Sequence, residues 1–248
     1  MSVLTLQLAG PLQSWGASAR FVRRGTESAP TKSGVLGLLA SAQGLERADE
    51  RALARLAGLR FGVRIDQPGS RVRDFQTAHH AVTGKSMPLS ERFYLADAVF
   101  VAALEGEAAL LEELLAALRD PVYPPYLGRR SCPPARPVEL GLHHGADLHG
   151  ADLHSTLRRE PWRAAAWYQR LHRGQRSVPL TVLHEALPEE DGDTLRDQPL
   201  SFAAEHRRHA LRTVVAATVE VSHPEHAGAR RAPAHEPFAA LEEEEDQH

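Results

Sequence analysis

The stretch FYLADAVFVAALEGEAALLEELLAAL, residues 93–118, decides the fold class. Residues 93–104 are strand-like, carried by Tyr94, Val99, Phe100 and Val101. Past Gly106 the apolar spacing changes. Leu110, Leu111, Leu114, Leu115 and Leu118 recur at the intervals of one helix face, which predicts a helix over 107–118. Towards the N-terminus, residues 3–8 alternate Val3, Thr5 and Gln7 against Leu4, Leu6 and Leu8, a strand with a leucine face. Ala9-Gly10-Pro11 breaks it. Residues 12–25 carry Gly16, Arg20, Arg23, Arg24 and Gly25 and no acid, and read as a loop suited to a polyanion. Thr31 or Ser33 then caps an apolar, glycine-bearing helix that ends by Gly44. A short helix fits 49–56. Residues 59–66 alternate Phe61, Val63 and Ile65 against Arg60, Gly62 and Arg64, which predicts a strand with arginines on an exposed outer face. After a Pro68-Gly69-Ser70 turn, a further strand fits 72–78, and 79–91 form an excursion. This order is close to βαββαβ, the ferredoxin-like arrangement shared by RRM folds.

The proline-rich segment 121–134 interrupts the pattern, and a strand over 138–142 closes the first sheet. Gly145-Ala-Asp-Leu-His149 is repeated as Gly150-Ala-Asp-Leu-His154 and reads as an insertion. A short helix over 162–171 and strands over 178–184 and 211–221 make a second, smaller region. Residues 242–246 are all acidic and are expected to be solvated or disordered.

Composition narrows the function classes. The 248 residues carry a formal charge of −3, but unevenly. Residues 1–145 hold 17 basic and 14 acidic side chains; residues 146–248 hold 12 and 18. That excludes a uniformly basic coat on nucleic acid, not a local RNA contact. The basic residues are 27 arginines and only Lys32 and Lys85, a skew that high-GC codon usage also produces. One cysteine, Cys132, excludes an intrachain disulfide and a cysteine-rich zinc site. The N-terminus lacks the features of a signal peptide, and no run approaches the ~18 apolar residues of a membrane helix. A cytoplasmic protein with no membrane partner is expected.

The candidate chemistry lies mainly in loops. In Leu127-Gly128-Arg129-Arg130-Ser131 a glycine lets backbone N–H groups approach a phosphate, and the arginines and serine add donors. Tyr123 and Tyr126 are placed to stack on bases. Gln13-Ser14-Trp15-Gly16 offers a tryptophan either for a base or for a neighbouring element. Lys32-Ser33-Gly34 at a helix start suits an anion, but is not a Walker loop. His143, His144, His149, Asp152 and His154 contain metal-ligating types. Their spacing comes from a short duplication on a loop, so no metal is expected. His79 and His80, near Lys85, support an alternative: a metal-independent endoribonuclease in which they act as base and acid on a 2′-hydroxyl. Cys132 lacks a partner base and reads as an inert thiol.

Five segments in this order resemble the CasD family: residues 8–16, LAGPLQSWG; 30–39, PTKSGVLGLL; 73–75, RDF; 94–98, YLADA; and 126–133, YLGRRSCP. That family is the subunit of type I-E CRISPR Cascade complexes that holds the 5′ handle of crRNA. The resemblance covers residues 3–140 well and the rest weakly. It implies an α+β fold: a ferredoxin-like, RRM-like domain over 1–142 with a thumb at about 77–92 and a small β-rich C-terminal region over 143–230, while the insertion in that region and the acidic tail over 231–248 are read from the residues alone. It implies binding without catalysis and no cofactor, since precursor cleavage in such systems belongs to another subunit. Gly128, Arg129, Arg130 and Ser131 would face the handle, flanked by Gln13, Ser14 and Trp15. Arg20, Arg23, Arg24, Lys32, Ser33 and Tyr126 would add RNA contacts. Thumb residues His79, His80, Lys85 and Arg92 would lie near the handle–spacer junction. The implied protein partners are the backbone subunit CasC and the large subunit CasA, with target DNA met only through the assembled complex.

Overall fold

The computed structural model describes residues 1–17, 23–145 and 152–227. Strand β1 (Ser2–Ala9) is buried along its whole length. Leu4, Leu6 and Leu8 enter the main core, while Val3 enters a second core on the opposite face. A strand covered on both faces belongs inside a sheet. Two short strands follow, β2 (Leu12–Gln13) and β3 (Arg23–Arg24), then helices α1 (Lys32–Ala42) and α2 (Glu50–Ala57). Thr31 caps α1, its side chain accepting from the Gly34 N–H, and Asp49 caps α2 by accepting from the Ala52 N–H. Next come β4 (Arg60–Gln67), β5 (Ser70–Gln76), β6 (Ser90–Ala96), β7 (Val99–Gly106), α3 (Ala108–Arg119) and β8 (Glu139–His144). The chain continues through α4 (Leu153–Arg159), α5 (Ala166–Leu171), β9 (Ser177–Glu185), β10 (Asp193–Ser201), β11 (Arg208–Ser222) and α6 (Pro224–Ala227).

Seven strands form one sheet in the order β10-β11-β9-β4-β7-β1-β8, antiparallel throughout. Within it, β8-β1-β7-β4 have βαββαβ connectivity: α1 and α2 lead from β1 to β4, and α3 leads from β7 to β8. Leu36 and Leu39 of α1 and Leu111 and Leu114 of α3 pack with Leu4, Leu6, Phe100 and Leu104 on one face. On the other face Leu153, Leu157 and Trp162 pack with Val101, Val182 and Val219. The C-terminal strands continue the first sheet, because β9 pairs with β4 at Gly62↔His184, Val63↔Leu183 and Arg64↔Val182.

Besides the short strands β2 and β3 and helices α4 and α6, which have no predicted counterpart, the elements change at three places. The strand expected over 93–104 is two strands in two sheets. Asp97, at φ +57°, turns the chain between β6 and β7, and aspartate tolerates that left-handed conformation better than most residues. The exposed arginine face expected on β4 is covered. Arg64 is 0% exposed, with α4 and the chain after it lying over the strand. Its guanidinium donates to both Asp66 carboxylate oxygens at 2.7 and 2.9 Å. It also donates to the carbonyls of Leu157, Glu160 and Pro161 at 2.5, 2.7 and 2.8 Å. Arg60, half-buried, pairs with Glu105. Finally, β10 has no counterpart among the predicted strands, because bulges and Pro199 interrupt its alternation. Residues 146–151, most of the repeat, lie outside the described residues, as do the acidic residues 231–248. Asp152 forms a capping box with Ser155 at the start of α4.

Candidate nucleic-acid interface

A smaller sheet stands beside the large one, with β6 at its centre. β5 pairs along one edge, from Ser70↔Ala96 to Gln76↔Ser90. The other edge is shared by β2, antiparallel at Leu12↔Ala96 and Gln13↔Leu95, and by β3, parallel at Arg23↔Glu91 and Arg24↔Arg92. β5 and β6 form a hairpin, and every residue of β5 is exposed. At its tip the His80 N–H donates to Lys85 O and the Gly84 N–H to His80 O, each at 2.9 Å. The excursion expected over 77–92 is therefore the outer part of a longer hairpin that begins at Ser70 and ends at Ala96. At its base Gly69 has φ +71°, and a Cβ there would overlap Ala96 O. The Gln67 amide donates across the base to Asp97 O.

Against this sheet lies the loop at 127–131. The Leu127 N–H donates to Cys132 O at 2.7 Å, and the Cys132 N–H to Arg129 O at 2.9 Å. The Ser14 N–H donates to Leu127 O at 3.1 Å, which anchors the loop on the segment after β1. Gly128 sits at φ +83° with its α-carbon so close to Ser14 O that any Cβ would overlap it. Only glycine meets both conditions. The half-buried Arg129 reaches back: its Nη2 donates to Arg24 O at 2.9 Å, and its Cζ lies 4.7 Å from the centroid of the Tyr94 ring. Arg24, Arg130 and Ser131 are exposed and Tyr126 is half-buried, so the loop presents cations and a hydroxyl to solvent.

Five residues expected to touch RNA are buried, and the side chains of four of them have partners within the protein. The Gln13 amide donates to Leu8 O at 3.1 Å and Ala98 O at 2.7 Å, and its Oε1 accepts from Trp15 Nε1 at 3.0 Å. Ser14 Oγ donates to Phe93 O at 3.0 Å. Trp15 is 0% exposed and packs on Gly34, where a Cβ would come within 2.8 Å of its ring. Of the two alternatives for this tryptophan, packing is the one realised. Ser33 is buried in the first turn of α1. Lys32 Nζ donates to Glu185 at 2.6 Å and Ala57 O at 2.9 Å. Burial pulls the Lys32 pKa below its ordinary value, against the opposing pull of Glu185. The anion position at the start of α1 is already filled, since the Lys32 N–H donates to Asp197 at 2.7 Å. Gln13, Ser14 and Trp15 place the loop and hairpin, whereas Lys32 and Ser33 are enclosed at the start of α1.

The other candidates divide. Arg20 lies outside the described residues, and Arg23 contributes its backbone to β3. His79, His80 and Lys85 are exposed at the hairpin tip. His80 Nδ1 accepts from the Val82 and Thr83 N–H groups at 3.3 and 3.2 Å, which shapes the turn. Arg92 is half-buried on β6, and its Nε has no hydrogen-bond partner among the described residues. The hairpin also carries a group not assigned from sequence: Arg71 stacks over Phe93 at 4.6 Å and Arg73 over Phe75 at 4.7 Å. Phe75 is 48% exposed. The alternation of Arg71, Arg73 and Phe75 along one strand was the available signal.

Elsewhere, His143 is within 3.3 Å of Glu160 and 3.2 Å of Thr5, and His144 lies 3.2 Å from Ser2 Oγ. His154 meets His184 edge-on, and His149 lies outside the described residues. Among the described residues no three metal-ligating side chains converge. Cys132 is buried beneath the loop, and burial pushes its thiol pKa up. Iodoacetamide at neutral pH should leave Cys132 unmodified in the native protein and alkylate it in urea, as read by intact mass. Rapid native labelling would mean that the loop opens.

Comparison with known proteins gives this geometry a setting. A family model described as CRISPR-associated protein (Cas_Cas5) matches residues 3–215. The CRISPR system Cascade subunit CasD of Escherichia coli K12 is 35% identical over 164 residues, 59% of this chain and 73% of the relative. A solved structure described as a CRISPR RNA-guided surveillance complex contains a chain with TM-score 0.70 and 32% identity, covering 89% of this chain and 91% of that one. Another, described as the crystal structure of a Cas protein, has TM-score 0.65 and 36% identity, covering 88% and 94%. With most of its length inside the family match, and with the loop and hairpin both within it, this chain belongs to the Cas5 family of CRISPR-associated proteins.

Proposed function

We propose that this chain is the RNA-binding subunit of a type I-E Cascade complex that caps the 5′ handle of crRNA. In this role it binds and does not cleave. The observation that carries the reading is the loop at 127–131. It is fixed by Gly128 on Ser14, and it presents Arg130 and Ser131 to solvent near Arg24, beside an exposed hairpin. Backbone clamps and stacking surfaces suit single-stranded RNA, whereas groove readout would need a helix or ribbon of different shape. A repeat-derived handle is constant, so its bases can be read. The spacer varies, so contacts to it fall mainly on phosphate and sugar. The hairpin, with Lys85 at its tip and Arg71, Arg73 and Phe75 on β5, would meet the RNA where the handle gives way to spacer. CasC and CasA are the proposed neighbours, and target DNA is met through the assembled complex.

Binding of handle RNA by the full chain, titrated across salt concentrations, tests this reading. Arg130→Ala should lower affinity about tenfold and flatten the salt slope by roughly one unit, as for loss of one phosphate contact. Repeat RNA incubated with the protein in EDTA should be recovered intact. Specific cleavage that disappears in His80→Ala would establish the endoribonuclease instead.

A further inference from the structure

The loop and the hairpin are joined from two sides. On one side the segment 12–15 is a strut. Gln13 and Leu12 continue the β6 ladder, Ser14 Oγ donates to Phe93 O, and the Ser14 backbone holds the loop through Leu127 O. On the other side Arg129 leaves the loop, crosses to the Arg24 carbonyl on β3 and lies over Tyr94 on β6. Arg24 is the register partner of Arg92, and Tyr94 lies two residues further along β6, so these groups share one side of the small sheet. The acid opposite Arg92 in the β5–β6 ladder is Asp74. Within this group, Arg129 Nη1 and Arg92 Nε have no hydrogen-bond partner among the described residues. Enclosed guanidinium donors without a partner are costly in a scaffold, which favours a movement that brings them an acceptor. The acceptor that suits both is an anionic oxygen such as that of a phosphodiester.

We infer that Arg129 is a latch, oriented by Tyr94 and the Arg24 carbonyl, that makes loop and hairpin close on single-stranded RNA as one unit. The inference rests on the handle-binding reading above. A lysine keeps the charge at this position, but it has neither the plane that lies flat on Tyr94 nor the fork that spans a carbonyl and a phosphate. Charge and latch are therefore separable.

The experiment uses the full chain and two labelled RNAs, one with the handle alone and one with the handle extended by several spacer nucleotides. The wild type should bind the extended RNA more tightly, because the hairpin adds contacts. R129K should weaken binding of the extended RNA more than binding of the handle alone, so that the advantage of the extended RNA falls about fivefold. Y94F, which keeps the ring, should retain that advantage. Melting temperatures should match across the three proteins, which separates the effect from misfolding. Full retention of the advantage in R129K would overturn the latch while leaving handle binding in place. Absence of handle binding in the wild type would overturn both.

Discussion

Asp66→Ala is expected to cost about 3–5 kcal/mol of folding stability, the usual range for removing one partner of a buried ion pair. In a chain of this size that corresponds to a fall of roughly 6–20 °C in melting temperature. The pair is fully enclosed: Arg64 and Asp66 side chains both show 0% exposure. Asp66 also accepts from the Arg163 N–H at 2.6 Å, and its carbonyl accepts from Trp162 Nε1 at 2.9 Å. Removing the carboxylate leaves a guanidinium surrounded by three carbonyls and no anion. It also removes the acceptor of the Arg163 N–H in the segment that covers β4. Thermal unfolding followed by circular dichroism gives the answer, and a melting point within 3 °C of wild type would show that the network is dispensable. Asp66→Asn, which keeps an acceptor and the side-chain shape, should lose less.

Gly128→Ala is expected to lower handle affinity by roughly 10–100-fold, about 1.4–2.8 kcal/mol of binding. The fold itself should remain, with a change of a few degrees in melting temperature. Two costs act together. An alanine at φ +83° carries about 1–2 kcal/mol of backbone strain, and its methyl would overlap Ser14 O. The loop can relieve the overlap only by lifting from Ser14, and that movement withdraws Arg129 from Tyr94 and displaces Arg130 and Ser131. Filter binding against wild type measures the effect. Unchanged affinity with an unchanged melting point would remove the loop from the RNA-binding surface.

The sequence made the connectivity of the β8-β1-β7-β4 part of the main sheet legible because its strands and helices differ in period. β1 alternates at two residues, whereas Leu110, Leu111, Leu114 and Leu118 follow a helix stripe. Asp97 escaped notice because a single polar residue in an apolar run looks like ordinary alternation; only its φ shows that the chain changes sheet there. Arg64 was misplaced because period-two patterning reports that two faces differ, not what covers each. The covering segment, 157–163, lies about 95 residues away in the chain. In the site, residue types pointed to Gly128, Arg129, Arg130 and Ser131 as a donor-rich loop, and the structure has Gly128, Arg130 and Ser131 exposed and Arg129 half-buried. Residue types did not show that Lys32, or Gln13, Ser14 and Trp15, which the resemblance offered to RNA, would be enclosed, and all four are buried. Polar side chains that bind a partner and polar side chains that bind the chain's own carbonyls look alike until the fold brings those carbonyls to them.

The pairing of β4 with β9 has a consequence for how the protein is made. β4 finds β7 on one edge after some thirty residues, but its other edge waits until β9 emerges, about 110 residues after β4 ends. At a synthesis rate of about 5–20 residues per second, that edge is unpaired on the ribosome for roughly 5–20 seconds. During this interval the nascent sheet offers a free ladder to any passing strand. Truncation before Ser177 would make the interval permanent, and such fragments would be recovered as aggregates rather than as a smaller soluble domain.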